Sequence, residues 1–300
     1  MPSPDRIIRA YLPEQKLQLI FVSSTELSRY GAEIQKAYPT AASLFAQTLT
    51  AGLLLGALQT GDTRLNLQIE CDGPIRGLFA DAKRSGEVRG YIKNGQVDFP
   101  GLHGPFRANG ALGRKGYVSV LRDINGEVYR GAVDLEAKEG AANEIADLLA
   151  RYFDQSEQVQ TGIALTVRPQ TDQPLGEVAG LLIQALPDGD REALVRAIAA
   201  LRDGFFDQAQ LDTERLPEML APLFGGEVPQ IVDTLPAVYK CGCSRDRALR
   251  AIAAMGREEI ADLWEKEGKA EATCEFCGVH YVIPGEELLG LIFPANQERN

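Results

Sequence analysis

Apolar and polar residues alternate without a break in Leu65-Asn66-Leu67-Gln68-Ile69-Glu70, as they do in a strand that buries one face. Arg6–Leu12, Leu17–Val22, Ile163–Val167 and Val178–Ala185 carry similar short apolar runs and are predicted as strands. Val118–Arg122 and Val128–Val133 flank Asn125-Gly126 and predict an antiparallel hairpin. Asp72-Gly73 and Asn94-Gly95 mark further turns. Helical spacing appears at Ser23–Tyr38, with Ser24 or Thr25 as cap, and at Ala141–Phe153, where Ile145, Leu148, Leu149 and Tyr152 share a face. Strands gathered by hairpins, with helices between groups of them, predict an antiparallel-rich α+β core rather than a regularly wound βαβ sheet.

Ala41–Leu58 is apolar on all sides and nearly long enough to span a bilayer. Gln47, Thr48, Thr50 and two glycines interrupt it, and no basic flank sets an orientation, so it is predicted as a buried core helix. The pattern changes after Leu186. Arg191–Arg202 is an amphipathic helix, but Pro217, Pro222, Gly225, Gly226, Pro229 and Pro236 break up the stretch beyond it. Such short pieces cannot bury much alone and must lean on a neighbour. The expected organisation is therefore a core domain over 1–186, a helical, weakly stable linker over 187–236 and a small C-terminal domain over 237–300. In the last of these, helices at 245–255 and 257–267 precede a strand at Val279–Ile283.

The 300 residues carry a net charge of −11, which disfavours a phosphate backbone as the main partner. The last domain has eight basic against eleven acidic side chains, again the wrong sign for nucleic acid. The opening MPSPDRIIRA lacks an apolar leader, so a cytoplasmic, non-membrane protein is expected. There, paired cysteines are more often metal ligands or redox devices than structural disulfides.

Four of the five cysteines form two such pairs, Cys241-Gly-Cys243 and Cys274-Glu-Phe-Cys277. Two close pairs can surround one tetrahedral Zn²⁺ as a closed structural site, or collapse into two local disulfides. Gly242 and Gly278 give both pairs a permissive backbone, and Arg245, Arg247 and Arg250 are expected to help keep the sulfurs ionised. A plain zinc staple fits the pattern, because a terminal piece of this size has a marginal core. A redox-sensitive release fits the same residues, because oxidised cysteines no longer bind metal.

Other residues carry weaker signals. His280 is a spare ligand or a packing residue, since four cysteines already fill a tetrahedron. His103 sits in a Gly-rich loop without a partner, and Cys71 reads as an ordinary half-buried thiol. Gly110-x-x-Gly113-x-x-Gly116 has the wrong spacing for a phosphate loop. Phe205-Phe206 is expected to dock the linker on its neighbour.

Lys240-Cys-Gly-Cys-Ser-Arg-Asp-Arg247 and Cys274-Glu-Phe-Cys-Gly-Val-His-Tyr281, together with Leu67–Gly77, Tyr129–Leu135, Tyr152–Gln158 and Gly180–Pro187, resemble the 33 kDa chaperonin family over nearly the full length. These are redox-regulated bacterial heat-shock holdases. The resemblance implies an ATP-independent chaperone, not an enzyme, in which Cys241, Cys243, Cys274 and Cys277 bind one Zn²⁺ when reduced and inactive. It further implies that oxidation pairs Cys241 with Cys243 and Cys274 with Cys277, expels zinc and loosens the linker. The active form would then bind unfolding client proteins and dimerise. A thiol–disulfide oxidoreductase using Cys274 and Cys277 is the competing class, and it requires that pair at a helix N-terminus.

Overall fold

The structure, a computed structural model, describes residues 4–61, 63–99, 110–124, 126–135, 144–170, 173–208 and 211–292. His103, Asn125 and Ala141–Asn143, each part of an expectation from sequence, lie outside them. The chain divides into two compact units, residues 1–240 and 241–300. The segment 187–236 folds within the larger one, and the boundary falls at the first cysteine rather than at Ala237.

The larger unit begins with β1 (Arg6–Leu12), β2 (Leu17–Ser23), α1 (Thr25–Ile34), α2 (Pro39–Ala57), β3 (Arg64–Cys71), β4 (Gly77–Lys83) and β5 (Glu87–Ile92). It continues through β6 (Gly116–Ile124), β7 (Glu127–Asp134), α3 (Ile145–Tyr152), β8 (Thr161–Gln170) and β9 (Gln173–Ala185). The segment beyond Leu186 supplies α4 (Arg191–Arg202), α5 (Phe205–Gln208) and α6 (Leu216–Leu220). It also supplies an edge strand, β10 (Gln230–Pro236), which a helical linker did not anticipate; β11 (Val238–Tyr239) closes the unit. Among the described residues, one sheet has the order β10-β1-β2-β9-β8 and a second the order β11-β5-β4-β3-β6-β7. Each pairing is antiparallel except that of β11 with β5.

Helix α2 joins the two sheets. Leu44, Phe45, Leu49, Leu53 and Leu54 share one core with Ile20, Val22 and Leu182 of the first sheet and Leu65, Leu67, Leu78 and Val118 of the second. Among the described residues it is the helix long and apolar enough to cross a membrane, yet 94 % of that apolar stretch is buried inside the protein. Its polar interruptions are satisfied locally, since the hydroxyls of Thr48 and Thr50 donate to the carbonyls of Leu44 and Ala46 at 2.8 and 2.7 Å.

The helix predicted over Ser23–Tyr38 is shorter, because Lys36 turns to φ 49° and Tyr38 must be extended ahead of Pro39. Ser24 does precede α1, but its hydroxyl bonds Thr50 at 2.7 Å. The first amides of α1 are capped instead by Asp5, whose carboxylate accepts from Glu26 N and Leu27 N at 3.2 and 2.6 Å.

The other face of the first sheet is covered by the segment beyond Leu186. Leu194, Ala197, Leu201, Phe206, Leu220 and Phe224 pack on Ile8, Leu19, Phe21, Leu181 and Ile183. Phe206 meets the Phe21 ring edge-on at 6.1 Å, so the Phe205-Phe206 pair docks this cover as expected. The smaller unit comprises α7 (Arg245–Ala253), α8 (Arg257–Glu267), β12 (Lys269–Thr273), β13 (His280–Pro284) and α9 (Gly285–Ile292).

Close approach of α2 to β9 depends on Gly180. A Cβ there would lie 2.7 Å from Thr50 Cγ2 and 2.9 Å from Leu54 Cδ1. Gly180→Ala is expected to destabilise the larger unit by about 1–3 kcal/mol, read as a lowered midpoint in chemical denaturation.

Candidate metal centre

The smaller unit has little to fold around. Its fully buried side chains, among the described residues, are Ile252, Ile260, Ala270, Ile283 and Leu288, with Leu249, Leu263, Ala272 and Leu291 partly buried against them. Strands β12 and β13 pair antiparallel from Lys269↔Pro284 to Thr273↔His280. Cys274–Cys277 forms the turn between them. Cys274 N donates to Val279 O at 2.9 Å, Gly278 N donates to Cys274 O at 2.8 Å, and Gly278 adopts φ 70°. That left-handed conformation explains the glycine one residue after the second pair.

The first pair lies in the extended segment leading into α7. Ser244 caps this helix, its hydroxyl accepting from Arg247 N at 3.3 Å. Cys243 thus stands immediately before a helix N-terminus, where the backbone favours negative charge. Arg245 grips Glu287 of α9 through two hydrogen bonds of 2.8 and 2.6 Å. The Arg247 guanidinium donates to Gly242 O at 2.6 Å, between the two cysteines. Arg245 thus fastens α7 to α9, and Arg247 shapes the turn between the two cysteines.

The four predicted cysteines converge. Their sulfurs all lie within 4.8 Å of one another, each half-buried and none in a disulfide. Two of the contacts run across the pairs, Cys241 to Cys274 at 3.7 Å and Cys243 to Cys277 at 3.3 Å. Sulfurs at the corners of a tetrahedron around Zn²⁺ would be about 3.8 Å apart for Zn–S bonds of about 2.3 Å. The observed separations lie close to that value, so the set can hold a metal ion.

Sequence reasoning assigned no role to Tyr281. Its hydroxyl lies 3.1 Å from Cys243 Sγ. This hydrogen bond is the main reason that the Cys243 thiol falls to about 7, and its counterpart is Tyr281 pushed up to about 12. Burial pushes Cys274 and Cys277 up instead. Without a cation, one sulfur ionises readily and two of its neighbours resist.

His280 is exposed and engaged elsewhere, pairing through Nδ1 with Thr273 Oγ1 at 3.0 Å and through Nε2 with Glu271 at 3.3 Å. Cys71 lies at the end of β3 in the larger unit, and burial pushes its thiol up to about 11. The Cys274-x-x-Cys277 pair sits in a β-turn, not at the helix N-terminus that a thioredoxin-like catalyst needs.

Comparison with known proteins agrees with this arrangement. The family model described as Hsp33 protein matches residues 5–284. A 33 kDa chaperonin of Bacillus subtilis is 32% identical over 289 residues, covering 96% of this chain and 98% of its own. One from Geobacter sulfurreducens is 32% identical over 286 residues, covering 95% and 93%. The crystal structure of the 33 kDa chaperonin from Thermotoga maritima superposes with a TM-score of 0.83 at 26% identity, covering 97% of this chain and 98% of that one. With a match spanning both units and the four-cysteine cluster, the chain belongs to the Hsp33 family of chaperones, the 33 kDa chaperonins.

Proposed function

We propose that this chain is a cytoplasmic, ATP-independent holdase, locked by one Zn²⁺ on Cys241, Cys243, Cys274 and Cys277 and released by oxidation. The observation that carries the reading is the convergence of four thiols within 4.8 Å in a unit whose buried core, among the described residues, is five side chains. Bound zinc would cross-link the turn between β12 and β13 to the segment before α7, supplying on the order of 10–16 kcal/mol of folding free energy.

The chemistry of release belongs to the cysteines. In each pair one thiolate attacks peroxide, forming a sulfenic acid as hydroxide leaves. The neighbouring thiolate then displaces a second hydroxide, forming Cys241–Cys243 or Cys274–Cys277. Each disulfide removes two electrons from its pair, the two hydroxides taking up protons from the solvent, and the oxidised sulfurs no longer serve as ligands. A unit with so small a core then unfolds.

Loosening would extend through Lys240 into the cover formed by α4, α5 and α6. Its departure would expose Ile8, Leu19, Phe21, Leu181 and Ile183, an apolar sheet face suited to unfolding clients. The same exposed surface would favour a homodimer in the active state. Neither nucleic acid nor membrane has a part in this reading, and the chain acts by holding rather than by catalysis.

Peroxide treatment of zinc-loaded protein should release one zinc per chain, lower the free-thiol count from five to one, and suppress aggregation of a thermally unfolding client. The surviving thiol should be Cys71, whose raised pKa leaves about one molecule in a thousand as thiolate at pH 8. Quantitative zinc loss with clients aggregating at the untreated rate would sink the proposal. Removing zinc with a chelator under reducing conditions should unfold residues 241–300, seen as lost amide-exchange protection in α7, α8 and the β12–β13 hairpin.

A further inference from the structure

Tyr281 is not one of the four ligands, yet its hydroxyl reaches one of them. It is the second residue of β13, opposite Ala272 in a register that also pairs Thr273 with His280. The Thr273–His280 hydrogen bond and the His280–Glu271 contact secure that end of the hairpin. The phenol is therefore presented by a strand whose position is fixed. Cys243 comes from a distant part of the chain, 38 residues earlier, and its sulfur lies 3.1 Å from the phenol oxygen. The hydrogen bond thus joins the two halves of the centre by a route other than the metal.

A ligand thiolate has no proton to give, so in the metal-holding form the phenol must donate. Donation to a charged sulfur is stronger than between neutral groups. It spreads part of the negative charge that four thiolates concentrate, which favours retention of the cation. It also engages a sulfur lone pair that would otherwise attack an oxidant or an alkylating agent. The phenol acts on Cys243, whereas Cys274 accepts from the backbone N–H groups of Phe276 and Cys277, and Cys277 from that of Val279.

We propose that Tyr281 is a positioning residue that brakes the redox centre, strengthening zinc retention and making Cys243 a poorer nucleophile than an undonated ligand would be. This rests on the zinc reading and deepens it.

The test compares full-length, zinc-loaded wild type with Tyr281→Phe, which keeps the ring and removes the donor. Zinc affinity is read by competition with a chromogenic chelator. Each cysteine's reactivity is read by iodoacetamide alkylation, in which an S–C bond forms as iodide leaves, followed by peptide mapping. The variant is expected to hold zinc about tenfold more weakly. Alkylation of Cys243 relative to Cys274 in the same molecules should rise by about threefold or more. A general loosening would speed all four thiols alike, and that result would overturn the proposal, as would wild-type affinity and wild-type selectivity. Wild-type protein that binds no zinc would overturn the parent reading, whereas zinc-binding wild type with an unchanged variant would defeat only the role of Tyr281.

Discussion

Four thiols within 4.8 Å of one another are an unstable arrangement unless something positive holds them. Like charges at such distances suppress one another's ionisation, and here burial already opposes it at Cys274 and Cys277. The smaller unit must nonetheless bring them together, because its hairpin turn and the segment before α7 have few other reasons to meet. Its core ends at Ile252, Ile260, Ala270, Ile283 and Leu288. Surface fastenings such as Arg245–Glu287 contribute modestly. A metal among the sulfurs would therefore be the principal source of order in this unit, which is what lets a chemical change at sulfur become a structural one.

The larger unit is built on the opposite principle. It buries α2 on all sides between two sheets and satisfies the hydroxyls of Thr48 and Thr50 within the helix. Its buried Asp81 carboxylate is neutralised in place, clasped by both Arg64 and Arg89. Its one cysteine, Cys71, is held as an unreactive thiol. On the proposed reading, the smaller unit would come apart while this one persists.

Much of this was legible in the sequence, for physical reasons that differ by element. Strand β3 announced itself because one face is buried and the other is not, which forces alternation. Strand β4, GLFADAK, went unread because it is buried on both faces and includes an Asp that two arginines neutralise, leaving no period to detect. Strand β10 was hidden for the reverse reason: it is an exposed edge, and its partner β1 lies more than two hundred residues away. Strand β12, KAEAT, offers only alanines to the core. At the centre itself, spacing revealed all four cysteines, since tight pairs are what a shared ligand sphere requires. Tyr281 could not be found that way, because its place beside Cys243 comes from the register of β13 and the entry to α7, not from any local pattern.

The order of the chain explains how a change at the cysteines could reach the apolar cover. Cys241 comes directly after Lys240 at the end of β11, whose hold on the larger unit is short but varied. Val238 N bonds Gly86 O at 2.9 Å, Lys240 N bonds Val88 O at 2.8 Å, and the Tyr239 hydroxyl bonds Gly90 O at 2.9 Å. Lys240 pairs with Glu87, and Tyr239 packs edge-on against Tyr30. Loosening that begins at Cys241 must undo these contacts before it reaches β10, and β10 before it reaches α6 and the helices packed on Phe21. A two-residue parallel strand is a modest barrier, while the seven-residue β10 with its ladder on β1 is a larger one. That gradation would suit the proposed switch: β11 would have to be undone before β10, and β10 before the cover.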